Sequence, residues 1–418
     1  MKKIAAKCIV LSLTVFGVLS LKNVLIQDSF SNGKLDSQFP LKDLKLLLSK
    51  SVPMFLELPK KVTLDNDQYK VNYAINPLLE EFVKKQISQY RPDYASVVVI
   101  DNDNGNLLTA IDYSRRSNTF GRHLTFSSSH PAASVIKIVT AAELIKEHKV
   151  NRGSVFSFNG RSTTLYKYQI AKMPRQRWIR HQTFEEAFAK SNNVIFGKAG
   201  VSYIEAGSLL ETAGNFGFNG NIFSEINLVN STMRMPASND YSMAELTSGF
   251  NTDTMMSPIH GAVIASIVAN DGVFKTPNLV TYVTKDSNDE MVWAPKAEAK
   301  QVLESRVTNE LQNMMEMTVH KGTARNAFRR ATGFPFNGLD IGGKTGSITG
   351  GLPFGKRDWF VSYAKPKDAS LGKGVSICVM IVNQKKWYVK STQVAKNVIG
   401  HYYKNLSPLK KLAKYTRN

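Results

Sequence analysis

Ala95-Ser-Val-Val-Val-Ile100 is followed by Asp101-Asn-Asp-Asn-Gly105 and then by Leu107-Leu-Thr-Ala-Ile111. Two apolar runs rich in β-branched residues, joined by a turn bearing Asn and Gly, predict a β-hairpin. A second pair of the same kind stands near the C-terminus, Trp359–Tyr363 and Val375–Val382. Before the first hairpin, Leu78, Leu79, Phe82, Val83 and Ile87 recur at helical spacing, and Thr392–Tyr403 does so after the second. Between the two hairpins, from about Ser134 to Met314, the pattern is mostly helical. Strands at both ends of a helical middle predict one mixed domain whose sheet is assembled from distant segments.

The chain has 418 residues, 43% of them hydrophobic, ample for a large core. Its 54 Lys and Arg against 33 Asp and Glu give a formal charge of +21. That balance suits a polyanionic partner, whether nucleic acid, an anionic membrane surface or anionic wall polymer, and does not choose among them. Lys2, Lys3 and Lys7 precede an apolar stretch from Cys8 to Leu21. This is an export pattern, and its length falls short of the roughly 20 residues a spanning helix needs, so 1–22 reads as a signal peptide or a membrane anchor. Cys8 lies in that segment, which leaves Cys378 alone in the exported part, a small buried hydrophobe in an apolar run. Residues 23–70 are polar and mixed and read as a stalk or small N-terminal segment; 406–418 is a basic tail. The seven histidines show no paired ligand spacing, and no Gly-rich phosphate loop occurs, so neither metal nor cofactor is expected. Arg175, Arg177, Trp178 and Arg180 mix basic and aromatic residues. In an exported protein they face glycan, lipid or solvent rather than nucleic acid.

Three short motifs carry the chemistry, in chain order. Ser134-Val-Ile-Lys137 opens the apolar segment 136–145, Ser191-Asn-Asn193 follows 184–190, and Lys344-Thr-Gly-Ser347 follows 339–341 and a glycine pair. On a helix Ser134 and Lys137 share a face one turn apart. A serine hydroxyl is a weak nucleophile until a base takes its proton, and a lysine serves once burial lowers its pKa. The helix around them is apolar nearly all round, so the lysine is buried. Ser-x-x-Lys also begins at Ser31, Ser370 and Ser407 in polar loops, and at Ser362 in a strand, where residues three apart face opposite ways. Lys-Thr-Gly occurs once.

The ordered set resembles the active-site motifs of penicillin-binding proteins and serine β-lactamases. The resemblance extends over about residues 70–405, taking in the hairpin at 95–112, the helix boundary at 184–200, the "ANDG"-like 267–273 and Lys321-Gly-Thr-Ala-Arg325. It implies an α/β (α+β) fold: an antiparallel sheet flanked by helices, with an all-helical subdomain and the site at their junction, over 71–405. It implies these roles: Ser134 is acylated, Lys137 is its base, and Ser191 relays a proton to the leaving amine. Asn193 holds Lys137 and the substrate amide, Lys344 supplies positive charge, and Thr345 and Ser347 bind the donor's carboxylate beside Gly346, which lets the strand approach closely. The backbone N–H groups of Ser134 and Ser347 form the oxyanion hole. Ala133 and Ser347 stand where many relatives have Gly and Thr.

The implied activity is D,D-transpeptidation of peptidoglycan stem peptides in the bacterial cell envelope, with β-lactams as ligands and a glycosyltransferase or synthase as a partner. With no glycosyltransferase module upstream, the chain reads as a lone transpeptidase-like domain. D,D-carboxypeptidase is the alternative, ahead of serine β-lactamase and an inactive penicillin-binding scaffold. Glu225 tempts as a hydrolytic glutamate, but its spacing is off by one, and it reads as a surface residue.

Overall fold

The computed structural model describes residues 20–21, 39–170, 179–296 and 298–407. The export segment apart from Ser20–Leu21, the residues Arg175, Arg177 and Trp178, and the basic tail beyond Ser407 lie outside the described residues.

A six-stranded antiparallel sheet carries the fold. Its strands are β1 (Tyr94–Asp101), β2 (Leu107–Ser114), β3 (Thr119–Gly121), β4 (Leu339–Gly350), β5 (Gly355–Pro366) and β6 (Val375–Asn383). They lie in the order β4-β5-β6-β1-β2-β3. The two hairpins expected from the sequence therefore meet at the centre, where β6 pairs with β1 and Cys378 stands opposite Val98. Both central strands are buried on both faces, which is why they read as unbroken apolar runs rather than alternating ones.

Each face is covered by helices whose apolar spacing matches it. The helices that matter here are α1 (Pro77–Tyr90), α2 (Lys137–Lys146), α3 (Asn193–Tyr203), α4 (Asp240–Ser248), α5 (Pro258–Ala269), α6 (Ser305–His320) and α7 (Ser391–Asn405). On one face α1 and α7 bring Leu79, Val83, Ile87, Val394 and Val398 against Val97, Val99, Ile377 and Val379. Asn76 starts α1 by accepting the Leu79 N–H at 3.0 Å, with Pro77 in the first turn. On the other face lies α5, buried at every residue and apolar apart from His260 and Ser266. Fully burying each Leu, Val or Ile side chain of these layers contributes about 1.5–3 kcal/mol. Cys378 sits in this core, and burial pushes its thiol pKa up, as befits an inert packing residue.

The middle of the chain is less purely helical than its pattern predicts. Val155–Phe158 pairs with Arg180–Thr183. Val280–Lys285 pairs with Asp67–Tyr73 and Met291–Trp293, in a second sheet that also holds Lys61–Leu64 and Ser20–Leu21. These strands are short and irregularly buried, so neither period runs long enough to register in the sequence. The helix Leu41–Ser51 buries Leu44, Leu47 and Leu48 in the same core cluster as α5. Helices α2, α3 and α4 pack on one another, and α6 runs between β4 and the short helix Phe184–Ala189. The seam between this helical layer and β4 is where the three motifs converge.

Candidate active site

Ser134 lies in a 3₁₀ turn, Ala133–Ile136, and Lys137 is the first residue of α2. The sequence predicts one continuous helix; the tighter turn has three residues per turn and eclipses positions three apart. Lys137 Nζ consequently stands 2.8 Å from Ser134 Oγ. Upstream, His130–Pro131 is extended and pairs with Met255–Met256, and Ala133 turns at φ +51° to deliver the serine.

Lys137 is completely buried, and its other contacts are Asn193 Oδ1 at 2.6 Å and the Ser248 carbonyl at 2.7 Å. No carboxylate is among them. Burial, reinforced by the positive Lys344 nearby, holds its pKa well below the usual lysine range. Asn193 is fixed in turn, because its amide nitrogen donates to the Thr163 carbonyl at 3.0 Å, so its oxygen must face the lysine. Asn192 caps α3 by accepting the Ile195 N–H, and Ser191 holds the corner at φ +56°.

Lys344 forms the second group. It too is completely buried, and it donates to Ser191 Oγ and to the Thr345 carbonyl, both at 2.9 Å. Burial lowers its pKa to about 7. Aromatic faces flank both amines, Phe196 at 5.5 Å from Lys137 Nζ and Phe188 at 5.5 Å from Lys344 Nζ. Ser191 thus hydrogen-bonds Lys344 rather than Lys137. Gly346 abuts the turn that holds Ser134: a Cβ there would come within 3.3 Å of the Ala133 and Val135 side chains. Thr345 Oγ1 is 2.5 Å from Thr323 Oγ1. Ser347 is exposed and stands opposite Asp358, a buried residue whose carboxylate accepts the Ser391 N–H at 2.8 Å. All eight residues singled out in the sequence lie along one seam, and β4, which carries four of them, is the outermost strand of its sheet.

Two contributors lie outside the three motifs. The Ser248 carbonyl has no side-chain signature, and Thr323 falls in the 321–325 segment of the resemblance, where nothing in the sequence sets it across from Thr345. Past Ser347 the seam opens into a cleft of about 360 Å³ lined by Glu245, Phe250, Asn251, Thr252, Asp253 and Ile348. Glu225 corrects the expectation of a surface residue. It is fully buried, its carboxylate accepting N–H groups from Leu279 at 2.6 Å and Val280 at 3.4 Å. A carboxylate reads as solvated when the backbone donors that satisfy it lie 54 residues away.

Residues 95–400 match the model of the penicillin binding protein transpeptidase domain. Stage V sporulation protein D of Bacillus subtilis (strain 168) is 24% identical over 297 residues, covering 66% of this chain and 43% of that protein. The chain therefore spans less than half the length of that relative. Among solved structures, the D,D-transpeptidase domain of the peptidoglycan glycosyltransferase from Eggerthella lenta is 20% identical with a TM-score of 0.62, covering 96% of this chain and 95% of that one. The imipenem acyl-enzyme of penicillin-binding protein A from M. tuberculosis is 19% identical with a TM-score of 0.61, covering 79% of each chain. At these identities the solved structures speak for the fold: a mixed architecture of antiparallel sheet and helices. With the family model spanning β1 through most of α7, the chain belongs to the penicillin-binding protein transpeptidase family.

Proposed function

We propose that the protein is a penicillin-binding D,D-transpeptidase of the cell envelope that cross-links peptidoglycan stem peptides through an acyl-enzyme on Ser134. The observation that carries this reading is the surroundings of Lys137. Its neutral amine has two hydrogens and one lone pair. Two of its neighbours, Asn193 Oδ1 and the Ser248 carbonyl, are pure acceptors and take the hydrogens. The lone pair is left for the proton of Ser134 at 2.8 Å. A base so placed is in its working state only when uncharged, and burial without a counter-ion favours that state.

In the reaction, Ser134 Oγ attacks the donor's peptide carbonyl as its proton passes to Lys137. The C–N bond then breaks, and the proton taken up by Lys137 is handed on through Ser191, which Lys344 orients at 2.9 Å, to the departing amine. The acceptor amine attacks the resulting ester, and as the C–O bond breaks its proton passes by way of Lys137 to Ser134 Oγ, which is released as the hydroxyl. Thr345 and Ser347, with the charge of Lys344, bind the donor's terminal carboxylate. The backbone N–H groups of Ser134 and Ser347 stabilise the oxyanion. A β-lactam enters by the same attack and stays as the acyl-enzyme.

We assign this chemistry to residues 71–405, with 1–22 as signal or anchor, 23–70 as an N-terminal segment and 406–418 as a basic tail. Among the described residues no helix is long and apolar enough to cross a membrane. An anionic wall or membrane surface and a glycan synthase are the further partners this reading expects. A carboxypeptidase differs only in using water as acceptor. The β-lactamase alternative loses its candidate base, because Glu225 spends its carboxylate on the Leu279 and Val280 N–H groups.

Intact-protein mass spectrometry after incubation with benzylpenicillin tests the assignment. The wild type gains the mass of the drug and Ser134→Ala does not. An unmodified wild type with intact drug would refute the reading, and destroyed drug without adduct would indicate a β-lactamase.

A further inference from the structure

Thr323 belongs to none of the three motifs, yet its hydroxyl meets the third of them at Thr345 on β4. It follows α6 in the turn Lys321–Ala324, and its hydroxyl is 2.5 Å from that of Thr345. Its backbone is fixed from the other side of the seam. The Thr323 N–H donates to the Ala189 carbonyl at 3.0 Å, two residues before Ser191. The preceding Gly322 lies so close to that carbonyl that a Cβ would come within 2.3 Å of it. Thr345 is held independently, since Lys344 Nζ donates to its carbonyl at 2.9 Å.

A hydroxyl carries one hydrogen, and a carboxylate only accepts. If Thr345 spent its hydrogen on Thr323, it would offer lone pairs to an anionic ligand and repel it. With Thr323 as the donor, Thr345 is left free to donate outward, and the chain of two hydroxyls polarises in the favourable direction.

We propose that Thr323 is a positioning residue for carboxylate recognition, donating to Thr345 Oγ1 so that the Thr345 hydroxyl is turned and polarised toward the carboxylate of donor peptide or β-lactam. The inference rests on the transpeptidase reading above and adds a residue to its binding step. Thr323 itself does not touch the reacting atoms. It couples the Ala189–Ser191 corner to the Lys344–Ser347 strand, so that proton relay and carboxylate binding keep a common geometry.

The test compares acylation of the full chain by benzylpenicillin and by its uncharged methyl ester, with a melting temperature taken for every variant. Thr323→Val keeps the shape and removes the hydroxyl. It is expected to lower the second-order acylation constant for benzylpenicillin about tenfold, the worth of one good hydrogen bond, and to leave the ester within about twofold. Thr323→Ser is expected to restore the wild-type preference. In a Thr345→Val background, Thr323→Val is expected to add nothing. Should Thr323→Val fail to fold, Thr323→Ala replaces it. Equal losses on both ligands, an unchanged or faster reaction with benzylpenicillin, or a loss that persists without the Thr345 hydroxyl would each overturn the proposal. Absence of any acylation in the wild type would overturn the transpeptidase reading as well, so the two failures are told apart by the wild-type arm.

Discussion

Lys137 and Lys344 are both fully buried, and neither has a carboxylate among its hydrogen-bond partners. A buried ammonium is expensive, and the usual remedy is a counter-ion or loss of the proton. Here the second outcome is the one the proposed mechanism requires of Lys137, while Lys344 sits near the balance point at about 7. The sign follows from the charge each residue needs. Raising the pH through about 7 strips the proton from Lys344 and with it the attraction for a carboxylate. Acylation by benzylpenicillin should therefore decline on the alkaline side of neutrality, and acylation by the uncharged ester should not. Stopped-flow acylation across pH 5 to 9 would show it, and parallel profiles for both ligands would count against a charged Lys344 at the carboxylate.

At the scale of elements, Glu225 is the instructive residue. Its carboxylate ties the loop at 224–228 to the start of Val280–Lys285, and burial raises its pKa. Glu225→Ala leaves the buried Leu279 N–H without a partner, so unfolding by denaturant should register a loss of about 1–3 kcal/mol. Acylation of Ser134 should persist in that variant; its loss would place Glu225 in the chemistry after all. The same comparison shows what a sequence can disclose. Strands β1, β2, β5 and β6 were legible because a β-branched run between turn residues has few other readings. The three site motifs were legible because their polar residues interrupt apolar segments. Short strands such as Arg180–Thr183, the carbonyl of Ser248 and the hydroxyl of Thr323 were not. Their roles depend on who stands opposite, and pairing across a seam leaves no local period. The 3₁₀ turn at Ser134 is indistinguishable from plain helix in the sequence for a related reason: its composition suits both.

For the molecule as a whole, the formal charge of +21 acts at long range and says nothing of the fold. Adhesion to anionic wall polymer or anionic vesicles should weaken sharply with salt, as the screening length falls from about 10 Å at 0.1 M to about 3 Å at 1 M. Co-sedimentation across that range checks this, and binding indifferent to salt would assign the contact to apolar surface instead. The main sheet has two rims of very different character. At one, β3 ends the sheet after only three residues, a common defence against unwanted pairing. At the other, β4 runs for 12 residues with no further strand paired to it among the described residues. A long bare rim invites any extended backbone to lie alongside, and a peptide that did so would become the seventh strand. On the proposed reading a bound donor peptide would cover that rim, and with it an edge along which two empty copies could pair.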